Sequence, residues 1–155
     1  MVRSWKKLGE ILVEKGLISA QLLGKYLEEQ KRTGEFLGEL LLRKKVITPQ
    51  QLTEVLSLQF NMPTVSIKDS YIDWSLVEKV SSSLILDYKC MPLREERDTV
   101  VVAITNPLDM KVMEKIEEEF KARKVKKVLT STEDMEEAIK RYRQYLQRKI
   151  NQLLK

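Results

Sequence analysis

The sequence predicts an α+β fold. It has an N-terminal four-helix tandem-repeat unit over residues 1–60, then a small α/β subdomain over 61–155 with a few-stranded sheet and a long C-terminal helix. Three observations carry this. The first sixty residues repeat themselves at an offset of 29, their composition is purely helical, and the chain changes character at Phe60-Asn61-Met62-Pro63. Beyond that point, runs rich in β-branched residues alternate with helical ones.

The repeat is read by laying residues 7–30 over 36–59. It gives Leu8/Leu37, Gly9/Gly38, Glu10/Glu39, Leu12/Leu41, Lys15/Lys44, Ile18/Ile47, Gln21/Gln50, Leu23/Leu52, Leu27/Leu56 and Gln30/Gln59 as identities. Each copy reads as a helix–turn–helix pair. In the first, Leu8, Ile11, Leu12 and Lys15 step at helical spacing until Gly16, and Ser19 caps a second helix whose apolar face is Leu22, Leu23, Tyr26 and Leu27. The polar, glycine-containing stretch 31–35 reads as a loop. In the second copy Leu37, Leu40, Leu41 and Lys44 form one helix, and Thr48 with Pro49 opens the next, which continues through Leu52, Val55, Leu56 and Gln59. Lys45 stands where the first copy has Gly16, so the second turn is expected to end differently. Neither pair is long enough to bury its own stripe, so the two pairs are expected to pack on each other.

In the second part, 64–67 reads as a short strand, followed by helical segments around Trp74–Val80 and Ser83–Tyr88. Met91–Arg94 reads as a strand, 95–98 as a turn, and Thr99–Thr105 as a second strand. Asn106-Pro107-Leu108-Asp109 is a helix start with Asn as cap and Pro at the first position, leading a helix through Met110, Met113, Ile116 and Phe120. Val125–Thr130 is a further strand. Ser131, with Asp134 three residues on, opens a last helix to about Leu154.

Composition excludes several functions. The chain of 155 residues is 43% hydrophobic and 33% charged, the balance of a globular protein, and its charge of +5 favours anionic ligands without naming one. There is no histidine, hence no histidine metal site, nucleophile dyad or general base. All five glycines lie at or before Gly38, and no phosphate-binding loop or dinucleotide fingerprint exists. The expectation is a binding module, not an enzyme, with no metal and no cofactor. No apolar run reaches the ~18 residues of a membrane span, and the segment from Met1 to Lys7 lacks a signal-peptide core, so direct membrane insertion is not expected and the expected location is cytoplasmic. Cys90, in an apolar stretch, reads as a buried structural thiol.

What the repeat keeps beyond its apolar positions is Leu-Gly and a closing Gln. A glycine at a helix start brings backbone close to a ligand or to another helix, and on the residues alone close helix packing is favoured. A glutamine can present donor and acceptor to a base edge or stand exposed at a helix end, and two copies in one register favour a role. The basic last helix, with Lys140, Arg141, Arg143, Arg148 and Lys149, reads as a helix solvated on one face. A DNA-binding reading of the helix pairs fails because Glu28, Glu29 and Glu54 sit where a recognition helix meets phosphates, so no nucleic acid is expected.

These residues resemble the N-terminal domain of type II secretion and type IV pilus assembly ATPases, the MshEN-type domain, whose hallmark is two tandem copies of an Arg-Leu-Gly, paired-aliphatic, Leu, Leu, Gln motif separated by five residues. The second part is similar too, with Phe60-Asn61-Met62-Pro63, Met91-Pro92-Leu93, Val101-Val102-Ala103-Ile104 and Asn106-Pro107-Leu108-Asp109 in the family's order. The resemblance implies a regulatory module that binds cyclic di-GMP, one guanine half per copy. The implied contacts are Lys7, Leu8, Gly9, Leu23, Leu27, Gln30, Phe36, Leu37, Gly38, Leu52, Leu56 and Gln59. Lys7 and Phe36 stand where the family has arginine: Lys7 keeps the charge without the planar fork, and Phe36 can stack on a base but cannot reach a phosphate. The implied partners are a secretion or pilus ATPase domain, on this or another chain, and its inner-membrane platform protein. The other reading is a copy that has lost the nucleotide and docks the ATPase to that platform.

Overall fold

The computed structural model describes residues 6–155; the N-terminal segment read above for a signal-peptide core lies, up to residue 5, outside the described residues. The chain forms two units, Met1–Pro63 and Thr64–Lys155. The architecture is α+β, with eight α-helices, one three-stranded sheet and a long C-terminal helix among the described residues.

The first unit holds α1 (Leu8–Glu14), α2 (Ala20–Thr33), α3 (Leu37–Arg43) and α4 (Pro49–Phe60). Their starts follow from local chemistry. The Ser19 hydroxyl accepts from the Leu22 amide, and Thr48 with Gln51 forms a reciprocal capping box before Pro49. The pairs do pack on each other, α1 against α4 and α2 against α3. Arg43 and Lys44 reach Glu29 across the second contact at 3.6 and 3.2 Å. The core is Leu8, Ile11, Leu12 and Ile18 with their counterparts Leu37, Leu40, Leu41 and Ile47, joined by Leu52, Val55 and Leu56.

Two expectations here are corrected. Residues 31–33 are helical, because α2 runs on until Gly34, whose left-handed conformation (φ 73°) closes it with an amide bonded to the Gln30 carbonyl at 2.8 Å. The second turn ends like the first, not differently. Lys45 adopts φ 58° where Gly16 has 71°, and the following bonds match: Gly16 to Val13 and Lys45 to Leu42, both at 3.0 Å, then Leu17 to Leu12 and Val46 to Leu41, also at 3.0 Å. A lysine here thus takes a backbone conformation that glycine adopts without strain, closed by the same two backbone bonds as in the first copy. Lys45→Gly is therefore expected to stabilise by about 1 kcal/mol and Gly16→Ala to destabilise by a similar amount, read as opposite shifts of the urea midpoint.

In the second unit, β1 (Met91–Glu96) pairs antiparallel with β2 (Thr99–Ile104), and β2 pairs parallel with β3 (Lys124–Leu129) after a crossover through α7 (Met110–Glu119). Between β1 and β2, Arg97 turns the chain at φ 59°, so the turn is tighter than 95–98 and β1 longer than expected. The short helices α5 (Trp74–Val77) and α6 (Ser82–Leu86) precede the sheet, and α8 (Thr132–Leu153) follows it. Met135, Ala138, Ile139 and Tyr142 of α8 close one core with Met91, Leu93, Val101, Ala103 and Val128 of the sheet. Cys90 is buried in this unit, and desolvation pushes its thiol up to about 12, which makes it inert.

Segment 64–67 is not a strand. It touches the sheet at a single parallel bridge, Thr64 to Leu129, and then turns into a 3₁₀ segment, Ile67–Asp69. The cause lies in α8. Asp134 Oδ2 accepts from the Ile67 amide at 3.1 Å and Arg141 Nη1 donates to the Ile67 carbonyl at 3.2 Å, so both backbone groups of this buried residue go to helix side chains. The Ser131 hydroxyl caps α8 through the Asp134 amide, but the Asp134 carboxylate is used on Ile67 and not on the cap. Helix α7 likewise begins later than expected. Asn106 Oδ1 accepts from the Leu108 amide in a turn, and Asp109 is the actual cap, accepting from Lys111 and Val112.

Candidate functional site

All twelve residues drawn from the repeat lie in the first unit. Lys7 and Phe36 occupy equivalent places, the N-caps of α1 and α3, with extended backbone and no side-chain cap. Their carbonyls accept from Ile11 and Leu40 at 3.2 and 3.0 Å. Lys7 is exposed and Phe36 half-buried. Next come Leu8-Gly9 and Leu37-Gly38, all four buried.

The glycines have a structural task. A methyl group on Gly9 would lie 3.0 Å from both δ-carbons of Leu23, and one on Gly38 would lie 2.9 and 3.0 Å from those of Leu52. In each copy the leucine of the second helix thus fills the space that glycine leaves on the first. This joins three motif residues of each copy, Leu8-Gly9-Leu23 and Leu37-Gly38-Leu52. Gly24, in contrast, is exposed within α2 with nothing above it. Gly24→Ala is expected to stabilise by about 1 kcal/mol, whereas Gly38→Ala is expected to lower the melting temperature because crowding against Leu52 outweighs the gain in helix propensity.

The two copies part ways at their second helices. Leu52 and Leu56 are buried in α4, while Leu23 and Leu27 are half-buried and α2 has no buried residue at all. Leu22 and Tyr26, which the motif leaves out, stand half-buried on the same α2 face; helical periodicity was the signal for them. An apolar helix face left half open is a surface on which a flat ring can lie.

The closing glutamines differ as well. Gln30 is half-buried, and no hydrogen bond to its side chain is present among the described residues. Gln59 Oε1 is buried without a hydrogen-bond partner among the described residues. A buried acceptor left unsatisfied costs ~1–3 kcal/mol, so its retention calls for a reason. The cations around the unit are partly committed. Lys6 pairs with Glu14 at 2.6 Å, and Arg43 with Glu35 at 2.7 Å, where the Arg43 hydrogen bond holds the Glu35 carboxyl below the usual carboxylate range. No group of acidic, cysteine or histidine side chains that could hold a metal occurs among the described residues.

A duplicated helical unit is followed by a three-stranded α+β unit, with a glycine and a leucine packed together in each helix pair. The MshEN domain profile matches residues 60–149. The chain belongs to the MshEN domain family. It is 28% identical over 136 residues to the type IV pilus assembly ATPase PilB of Myxococcus xanthus, covering 88% of this chain and 24% of that protein. It is 32% identical over 107 residues to bacteriophage adsorption protein B of Escherichia coli K12, covering 69% of this chain and 14% of that one. The chain thus spans a quarter or less of the length of these curated relatives. Among solved structures, MshE with cdg superposes with a TM-score of 0.79 at 24% identity, over 88% of this chain and 99% of that one. The N-terminal domain of XpsE gives 0.70 at 13% identity, over 91% and 96%. These likenesses agree with the fold. No helix among the described residues is long and apolar enough to cross a membrane.

Proposed function

We propose that this chain is a non-catalytic regulatory module that binds cyclic di-GMP through its two Leu-Gly…Leu…Leu…Gln copies, on behalf of a type II secretion or type IV pilus assembly ATPase on the cytoplasmic side of the inner membrane. The observation that carries the reading is Gln59 Oε1, a buried acceptor without a donor among the described residues, at a position the repeat duplicates in Gln30. A guanine edge offers the missing N–H groups. Leu23, Leu27 and Phe36, all half-buried, give the apolar contact for base faces, and exposed Lys7 gives one cation for a phosphate. The likeness to MshE with cdg supports the ligand class. Buried Gly9, Gly38, Leu52 and Leu56 then act by shaping the platform.

Two-dimensional NMR tests the two-fold character. Adding cyclic di-GMP is expected to shift the side-chain amide signals of both Gln30 and Gln59; shifts confined to the second unit would contradict the reading. Phe36, at an N-cap where an arginine would meet phosphate, favours one other reading, a module that docks its ATPase to the inner-membrane platform without nucleotide. A pull-down with the cytoplasmic domain of the platform protein, with and without cyclic di-GMP, separates the two.

A further inference from the structure

The outer edge of β3 is open. Backbone N–H and C=O groups alternate in direction along a strand, and the Leu129 carbonyl points outward, where it accepts from the Val65 amide at 2.8 Å. Thr130 points inward, donating to Ile104 at 2.9 Å. By the same alternation, Val125 and Lys127 point outward. No backbone partner reaches them among the described residues, because the chain leaves the sheet after Thr64–Val65.

That edge is strongly basic and lies beside an apolar cleft. Residues 121–127 read Lys-Ala-Arg-Lys-Val-Lys-Lys. Arg123 is paired with Glu95 at 3.1 Å and Lys124 with Asp98 at 3.4 Å, while Lys121, Lys126 and Lys127 have no ion-pair partner among the described residues. An open cleft of about 460 Å³ borders the strand, lined by Ile116, Phe120, Lys121, Val125 and Lys127, with Glu117 as its one carboxylate.

Lysines on a sheet edge discourage pairing with a second copy of the same edge, since like charges would face each other. The same charges complement an acidic strand. We propose that the β3 edge is a docking site for an extended acidic segment of a partner protein, which adds as a fourth strand. Its backbone bonds to Val125 and Lys127, its carboxylates face Lys126 on one face of the sheet, and its alternate apolar side chains enter the cleft on the other face, against Phe120 and Val125 and beside the Lys127 stem. This rests on the second unit alone and stands apart from the nucleotide reading.

The test uses the full chain and a fluorescein-labelled octapeptide of alternating Glu and Val, followed by fluorescence polarisation. Saturable binding below about 1 mM is expected, at least about tenfold weaker when alternate peptide amides are N-methylated, together with slowed amide exchange at Val125 and Lys127. The double variant Lys126→Glu, Lys127→Glu is expected to lose binding and to gain it for the Lys/Val peptide. Absence of saturable binding, equal affinity for the N-methylated peptide, or equal binding of a single-stranded oligonucleotide would each overturn the proposal. The peptide comparison holds even if the double variant fails to fold.

Discussion

Leu12→Ala and Leu41→Ala are each expected to cost about 3–5 kcal/mol, and by similar amounts. Both side chains are 0% exposed, at the same register of the two copies, and each deletion leaves a cavity that surrounding helices fill only in part. Domains of this size have ~5–15 kcal/mol in hand, so either change removes a large fraction of the stability of the helical unit. Chemical denaturation followed by circular dichroism measures it. Leu58→Ala is the control: Leu58 is 53% exposed and its loss is expected to cost under about 1 kcal/mol. A large difference between the Leu12 and Leu41 variants would mean that the two copies do not share one packing scheme.

Asp134→Ala is expected to cost about 2–3 kcal/mol in the second unit. It removes a charged acceptor from the amide of Ile67, a residue with no exposed surface, and leaves that donor buried and unpaired. Of the two bonds from α8 only Arg141 to the Ile67 carbonyl then remains, beside the turn's own bond from the Ser70 amide to that carbonyl at 3.0 Å. Asp134→Asn keeps an acceptor oxygen in place and is expected to lose about half as much. Urea denaturation reports the ranking wild type, Asn, Ala; an Ala variant as stable as wild type would show that water replaces the carboxylate at no cost.

The helical unit was legible because its information is periodic. Leu8 to Lys15 and Leu37 to Lys44 repeat both spacing and identity, and Ser19, Thr48 and Pro49 are side chains whose capping chemistry is local. The errors arose where tertiary partners decide. Nothing in a lysine side chain marks Lys45 for a left-handed conformation; the helix-closing bonds to Leu42 and Leu41 accompany it as their counterparts do at Gly16. Residues 64–67 have strand composition, yet Asp134 and Arg141, some seventy residues away, turn them into a 3₁₀ segment. At Asn106 two side chains competed for the role of cap, and the turn made by Asn106 hands it to Asp109.

The candidate site was legible as a set of positions but not as an environment. Leu23 and Leu52, or Leu27 and Leu56, are the same residue in the same register, and sequence offers no reason to separate them. In the fold α4 buries its pair and α2 leaves its pair half open. The asymmetry comes from which helix each face meets, and under the proposed function the half-open α2 side is the one left to meet a base. The unsatisfied Gln59 oxygen is likewise invisible until the surrounding chain is in place. Val125–Thr130 was legible as a strand, but that β3 (Lys124–Leu129) lies at the edge of the sheet, next to β2 only, follows from the strand order and not from local sequence.

Calorimetric titration with cyclic di-GMP tests the central claim most directly, with GTP as control and Gln30→Ala and Gln59→Ala alongside. The account predicts saturable heat for cyclic di-GMP and none for GTP, with each glutamine variant binding about fivefold or more weakly, as loss of one hydrogen bond of ~1 kcal/mol requires. Absence of heat at tens of micromolar protein, or binding untouched by both variants, would contradict it.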